Sequence, residues 1–322
     1  MTAVQPSASP AAAGAGGRPA AVVPATPSST GPGPGPARVL KEGRPRVRST
    51  KGRDIFVKIS MAWMLLLAGV ILLEPLLPIP DPAAVDYYAI AVAPGQSAAH
   101  PLGTDAIGRD LLARLVTGGQ VSLTVGLGAV SIAAVFGAML GIIAAFFKGL
   151  TDRVVGSGVD IFLAFPPLVA IIALSVFMGP SLATLVIALG LIFTPQVARV
   201  ARSAALPYVS REFVTAARGM GSKEFRILWR EVAPNAIVPV LSYAVVLVAL
   251  AIGAEGGMSF LGLGVPPPQS SWGTMMGEGR AVLAASPHVV LVPAATMFLT
   301  LISLNFLADY ISRRFDIKEA AL

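Results

Sequence analysis

The chain has 322 residues, 55% of them hydrophobic and 13% charged, with a mean hydropathy of +0.75; a composition this apolar excludes an ordinary soluble domain and puts most of the chain in lipid. With no cysteine and only two histidines, His100 and His288, disulfide frameworks, thiolate metal sites, a cysteine nucleophile and a histidine-rich metal centre are excluded as well. A net charge of +7 would suit a nucleic-acid partner only if the basic residues were clustered for one, so their placement along the chain decides the matter.

Residues 1–37 are mostly Ala, Pro, Gly, Ser and Thr and end in GPGPGP, which buries too little apolar surface to offset ordering entropy. Ala and Pro alternate where a secretory signal would need a continuous apolar core, so no cleavable signal is expected. Eight basic residues then fall between Arg38 and Lys58, against Glu42 and Asp54, directly before the first apolar run. Residues 1–50 are therefore expected to form a disordered and then basic arm, with residues 51–322 forming the membrane domain.

Apolar runs long enough to span a bilayer, which takes about 20 residues at a 1.5 Å rise, occupy 59–78, 121–147, 157–178, 182–202, 236–258 and 288–311. The expected fold is all-α and polytopic, with about six transmembrane helices. With the N-terminus inside, the outside loops 79–120, 179–181 and 259–287 hold Arg109, Arg114 and Arg280, and the other 21 of the 24 Lys and Arg residues fall inside. That asymmetry accounts for the net charge without nucleic acid and predicts two cytosolic termini.

The segment 203–235 is polar, cytosolic in this topology and too long for a turn. Phe213, Val214, Ala217, Met220, Phe225, Ile227, Leu228 and Val232 are interleaved with Arg211, Arg218, Lys223, Arg226 and Arg230, which predicts two short amphipathic helices. Gly219 and Gly221 stand at the joint, where a glycine can take positive φ, and Ser222 is placed to cap the second helix with Glu224 in its first turn. Composition alone leaves two readings of this pair: helices lying on anionic lipid, or a docking site for a cytosolic partner.

These residues resemble the cytosolic EAA loop of permease subunits in ABC importers: Ala216, Ala217 and Gly221 match its Ala-Ala and glycine, and Pro234 its closing proline. Thr215 stands where that family has glutamate, and Glu231 where it commonly has histidine. The resemblance implies that Phe213, Thr215, Ala216, Ala217, Gly219, Gly221, Ser222, Phe225, Arg226, Glu231, Pro234 and Asn235 form the coupling surface for an ATPase subunit.

Four further segments, HPLGTDAIGRDLLARLVTGGQVSLTVG at 100–126, DIFLAFPPL at 160–168, EGGMSFLGLGVPPPQSSWGTMM at 255–276 and NFLADYISRRFDIK at 305–318, are similar to the permeases of dipeptide, oligopeptide and nickel importers. The chain resembles the C-type partner of their permease pair, whose first outside loop begins with His-x-Leu-Gly-Thr-Asp. This resemblance implies a type I importer architecture and a non-catalytic subunit in a bacterial cell membrane. The implied partners are a second, homologous permease, two ATPase subunits that bind ATP and Mg, and an extracytoplasmic binding protein. Short peptides are the implied solute, with nickel or another small solute as the alternative; the chain itself is expected to bind no cofactor or metal.

Read from the residues alone, Thr104 and Asp105 are N-cap candidates for a short external helix over 107–116, with Arg109, Asp110 and Arg114 on its surface. The outside segment SFLGLGVPPPQSSWGTM at 259–275 combines glycines, three prolines and Trp272, which suits a rigid segment at the membrane interface. Glu255, Ser259, Phe260 and Trp272 are the candidates for an outer gate or pathway. Asp160, Asp309 and Glu74 are also ionisable residues at span ends. No Walker A string occurs, the intramembrane strings HExxH and GxSxG are missing, and the span centres are nearly free of charge, which disfavours an ATPase, a membrane enzyme and a stand-alone secondary transporter.

Overall fold

The computed structural model describes residues 51–319, with side chains from 54 to 313, so the expected disordered arm at 1–50 lies outside the described residues. Among the described residues regular structure is helical, apart from the isolated bridges Val85–Arg109 and Thr104–Asp110. The long helices are α1 (Lys51–Leu73), α2 (Leu111–Phe147), α3 (Gly149–Ala164), α4 (Pro167–Met178), α5 (Leu182–Val209), α8 (Ala233–Phe260) and α10 (His288–Glu319). Between α5 and α8 lie α6 (Glu212–Gly219), α7 (Glu224–Ile227) and a π turn (Leu228–Val232), and between α8 and α10 lies α9 (Trp272–Gly279).

Among the described residues five helical stretches are long and apolar enough to cross a membrane, and the pair α3 and α4 makes a sixth if it is one broken span. The expected span at 157–178 is not one continuous helix: its two helices meet at 88°. Pro166 and Pro167 supply the reason, since two missing N–H groups stop the ladder and Phe165, before a proline, is held extended at φ −77° and ψ 131°.

The separate helix expected over 107–116 is also corrected. Asp110 is the N-cap, its carboxylate accepting the N–H of Ala113 at 2.7 Å, and the helix it opens continues as α2 to Phe147. Thr104 and Asp105 instead fold the preceding loop. Thr104 Oγ1 accepts the Val92 N–H and donates to the Ala89 carbonyl, and Asp105 accepts the N–H groups of Ile107 and Arg109.

α2 and α5 pack so closely that side chains are excluded from their seam. A Cβ on Gly137 would stand 2.6 Å from Val197 Cβ and 2.7 Å from the Thr194 carbonyl, and one on Gly141 would collide with the Ala198 carbonyl. Such backbone approach replaces the hydrophobic driving force that is missing between helices in lipid. α1 packs on the core through Met64 and Leu67 but leaves Ile59, Leu65, Leu66 and Leu72 exposed, while the Trp63 indole donates to Thr300 on α10 at 3.2 Å.

Candidate functional site

α6 and α7 form the predicted helix pair. α6 is amphipathic: Val214 and Ala217 face the core, while Phe213, Thr215 and Ala216 are exposed. Gly221 ends it with φ +77°, the N–H of Ser222 bonding the Ala217 carbonyl and that of Gly221 the Arg218 carbonyl. This is the two-bond closure that a left-handed residue permits. The expected cap by Ser222 is corrected, because Lys223 is the N-cap of α7 and no side chain makes a capping bond there. The joint is held instead by Arg218, whose guanidinium pairs with Glu224 at 2.9 Å and lies over the Phe146 ring at 5.5 Å.

The outward side of this pair is apolar and basic together. Met220 is 80% exposed and Phe225 68%; Phe225 meets Trp229 edge to face with centroids 6.1 Å apart, and Arg226 is exposed beside them. A Cβ on Gly219 or Gly221 would meet nothing within 4 Å, so both glycines lie open on the same surface. Exposed aromatic and methionine side chains rimmed by arginine are what a protein-binding surface presents. Trp229 was not singled out from the sequence, although its i+4 spacing from Phe225 places both rings on one helix face and could have found it.

The second helix of the pair does not end. Pro234 has no N–H to donate and its ring would strike the carbonyl four residues back, and the helix accommodates it by widening into the π turn, with Ala233 N–H reaching the Leu228 carbonyl. Asn235 Nδ2 donates to the Glu231 carbonyl at 2.6 Å. α7, the π turn and α8 therefore form one apolar helix, Glu224–Phe260.

At the far end of α8, Glu255 is fully buried, its two oxygens accepting from Ser122 at 2.8 Å and Ser259 at 2.6 Å. Trp272, also fully buried, donates its indole N–H to the Leu115 carbonyl at 2.9 Å. The structure thus brings Glu255, Ser259 and Trp272 into one packed node where α2, α8 and α9 meet. Phe260 lies outside the node, lining with Ser259 a cleft of 390 Å³. Asp160 pairs with Arg199 at 2.7 Å on the surface, Asp309 approaches Arg313 at 3.9 Å, and Glu74 opens a short 3-10 turn after α1.

Arg114, expected on a helix surface, is 3% exposed and belongs to a charged cluster that joins distant segments. Asp105 Oδ2 accepts from Arg109 at 2.6 Å and Arg114 at 2.5 Å, and Glu278 Oε2 accepts from the same two residues at 2.5 Å and 2.9 Å. Burial pushes the Asp105 carboxyl up, but the N–H groups of Arg109 and Ile107 and the two guanidiniums outweigh it and hold the group below the usual carboxylate range.

His100 sits beside this cluster with Nδ1 2.8 Å from Asp110 and Nε2 3.5 Å from Asp86. The hydrogen bond to Asp110 raises its pKa, burial opposes the rise, and Asp86 adds to it. Because the folded value lies above the unfolded 6.5, the stability contributed is full below that pH and is lost as pH rises through the folded value. Thermal melting of the purified protein is expected to drop between about pH 6 and about pH 8.5 by more than in His100→Gln. An identical drop in the variant would show that the imidazole is not the titrating group.

Comparison with known proteins agrees with this architecture. Residues 137–317 match the family model described as binding-protein-dependent transport system inner membrane component. The chain is 33% identical to the glutathione transport system permease protein GsiD of Pectobacterium atrosepticum, over 70% of this chain and 74% of that one. It is 36% identical to a putative peptide permease protein of Brucella suis, over 73% of this chain and 78% of the relative. Among solved structures, the MetNI methionine ABC transporter in an inward-facing form superposes with a TM-score of 0.52 at 18% identity, covering 62% of this chain and 95% of that one; at that identity the likeness speaks for the fold. The family match and the relatives together place this chain in the family of binding-protein-dependent transport system inner membrane components, the membrane-spanning, non-catalytic permease subunits of ABC importers.

Proposed function

We propose that the chain is one half of the translocation pathway of an ATP-driven importer for short peptides, paired with a homologous permease and served by two ATPase subunits and an extracytoplasmic binding protein. The observation that carries this reading is the exposed apolar and basic surface of α6 and α7, continuous through the π turn with α8. A force applied at Phe225 is delivered along thirty residues of one helix, about 45 Å, to Glu255. ATP binding and hydrolysis in the docked subunits would bias the spans between two states through differential docking energy. The distribution of basic residues supports a cytosolic α6–α7 surface and cytosolic termini, with the loops at 77–110 and 261–271 outside.

The peptide assignment is supported by the names of the relatives, which are peptide and glutathione permeases, glutathione being itself a short peptide. It is tested by uptake. Cells lacking the chain should lose uptake of labelled di- and oligopeptides at least tenfold and regain it with the intact gene. Retained peptide uptake with loss of nickel uptake would overturn the solute assignment while leaving the importer reading in place.

A further inference from the structure

Two attachments hold α9, one at each end, and they hold it in opposite ways. At its N-terminal end the Glu255, Ser122, Ser259 and Trp272 node is wholly buried, and Gly118 and Gly273 bring backbone so close to backbone there that a Cβ on either would be crowded. At its C-terminal end Glu278, 43% exposed, accepts from Arg109 and Arg114, which belong to the 77–110 loop and to the first turn of α2. The first attachment has no access to water, whereas the second is reached by water and salt from its glutamate side, Glu278 being 43% exposed against 19% for Arg109 and 3% for Arg114.

Glu278 also lines two clefts, the one of 390 Å³ beside Phe260 and Pro266 and another of 370 Å³ beside Ile107 and Met275. We propose that Glu278 is a positioning residue for transport, a releasable latch that fixes the C-terminal end of α9 to the 77–110 loop. When the latch opens, α9 pivots on Trp272 and the two clefts join into one opening at that end of the pathway. The inference rests on the transport reading above.

On release each arginine keeps one carboxylate contact and gives up the one its Nη2 makes with Glu278. Asp105 Oδ2 keeps both guanidiniums when Glu278 leaves, and Asp105 Oδ1 keeps the N–H groups of Ile107 and Arg109. The departing partner is the one that faces water, so its carboxylate is solvated as the contact breaks. A latch built on the Glu255 node would instead have to expose buried hydroxyls and an indole at each opening.

The chain has no cysteine, so a single introduced thiol reports without background. Met275→Cys, at a position 1% exposed on the inner face of α9, would be labelled by a polar maleimide in the full complex held in lipid nanodiscs. Adding Glu278→Gln should raise the labelling rate about tenfold and cut solute imported per ATP hydrolysed at least threefold, with ATP hydrolysis retained. Glu278→Asp should stay near the parent rate. Raising salt from about 0.05 M to about 0.5 M should speed labelling of the parent and leave Glu278→Gln unchanged. Ile107→Cys, already exposed, should label at one rate in every background.

An equal Met275→Cys rate with Glu278 and with glutamine would overturn the latch. So would labelling of Leu247→Cys, buried within α8, in the Glu278→Gln background, because the fold rather than one contact would then have opened. Labelling does not depend on which solute is carried, so a wrong solute assignment leaves this result standing.

Discussion

Gly219→Trp is expected to lower uptake at least tenfold while leaving membrane insertion and thermal stability nearly unchanged. The position closes α6 without positive φ, and a Cβ there meets nothing within 4 Å, so an indole is accommodated without disturbing the chain's own packing. What it does disturb is the outward surface shared with Met220 and Phe225, where a docked subunit would have to approach. A tenfold loss corresponds to about 1.4 kcal/mol of docking energy, which one misplaced aromatic ring in an interface readily removes. Gly221 makes a poorer probe, because at φ +77° any side chain adds roughly 1–2 kcal/mol of backbone strain and mixes folding with docking. The measurement is ATPase subunit retained on the tagged permease, read together with uptake. Full retention and full uptake with tryptophan at 219 would remove the surface from the docking account.

Gly141→Leu is expected to abolish accumulation of the folded protein. A Cβ at 141 already collides with the Ala198 carbonyl and would stand 2.8 Å from Ala201 Cβ and 2.8 Å from Arg202 N, and two of these three neighbours are backbone that cannot rotate aside. Overpacking a well-filled site costs about 1–3 kcal/mol when side chains can move, so the cost here should reach or exceed the upper end. The damage extends to the seam between α2 and α5, and nearby Arg202, paired with Asp152 at 2.5 Å and 2.8 Å, would lose its register with α3. Gly156→Leu is the control, since a Cβ at 156 meets nothing within 4 Å and the variant should accumulate normally. Detergent-extracted yield and a monodisperse elution profile distinguish the two; normal behaviour of Gly141→Leu would mean that α2 and α5 do not pack as described.

The spans were legible because a run of about twenty apolar residues has few uses other than crossing lipid, and the helix pair at 203–235 because apolar and basic residues alternate at helical spacing. Boundaries were less legible. The Pro166-Pro167 pair lay in plain view within a long apolar run, and hydropathy smooths over a break that proline chemistry dictates. The start of α2 was missed because Thr104, Asp105 and Asp110 are all plausible caps, and the loop's own hydrogen bonds decide among them. Glu278 carried no local signal at all: its partners are 164 and 169 residues away, and an exposed glutamate before a glycine reads as a solvated surface residue until the chain is folded. Glu255 was singled out for its charge near a span end, and its hydroxyl partners on α2 and α8 explain how a carboxylate is tolerated there with no accessible surface.

The most direct test of the central claim, that the α6–α7 surface is where the ATPase docks, is a photocrosslinker placed at Met220 in cells expressing the whole transporter. It should capture an ATPase subunit, and the same crosslinker at Leu261, exposed at the other end of the bundle, should not. Capture at Leu261, or lipid alone at Met220, would contradict the account and leave the helix pair as an element resting on the membrane surface.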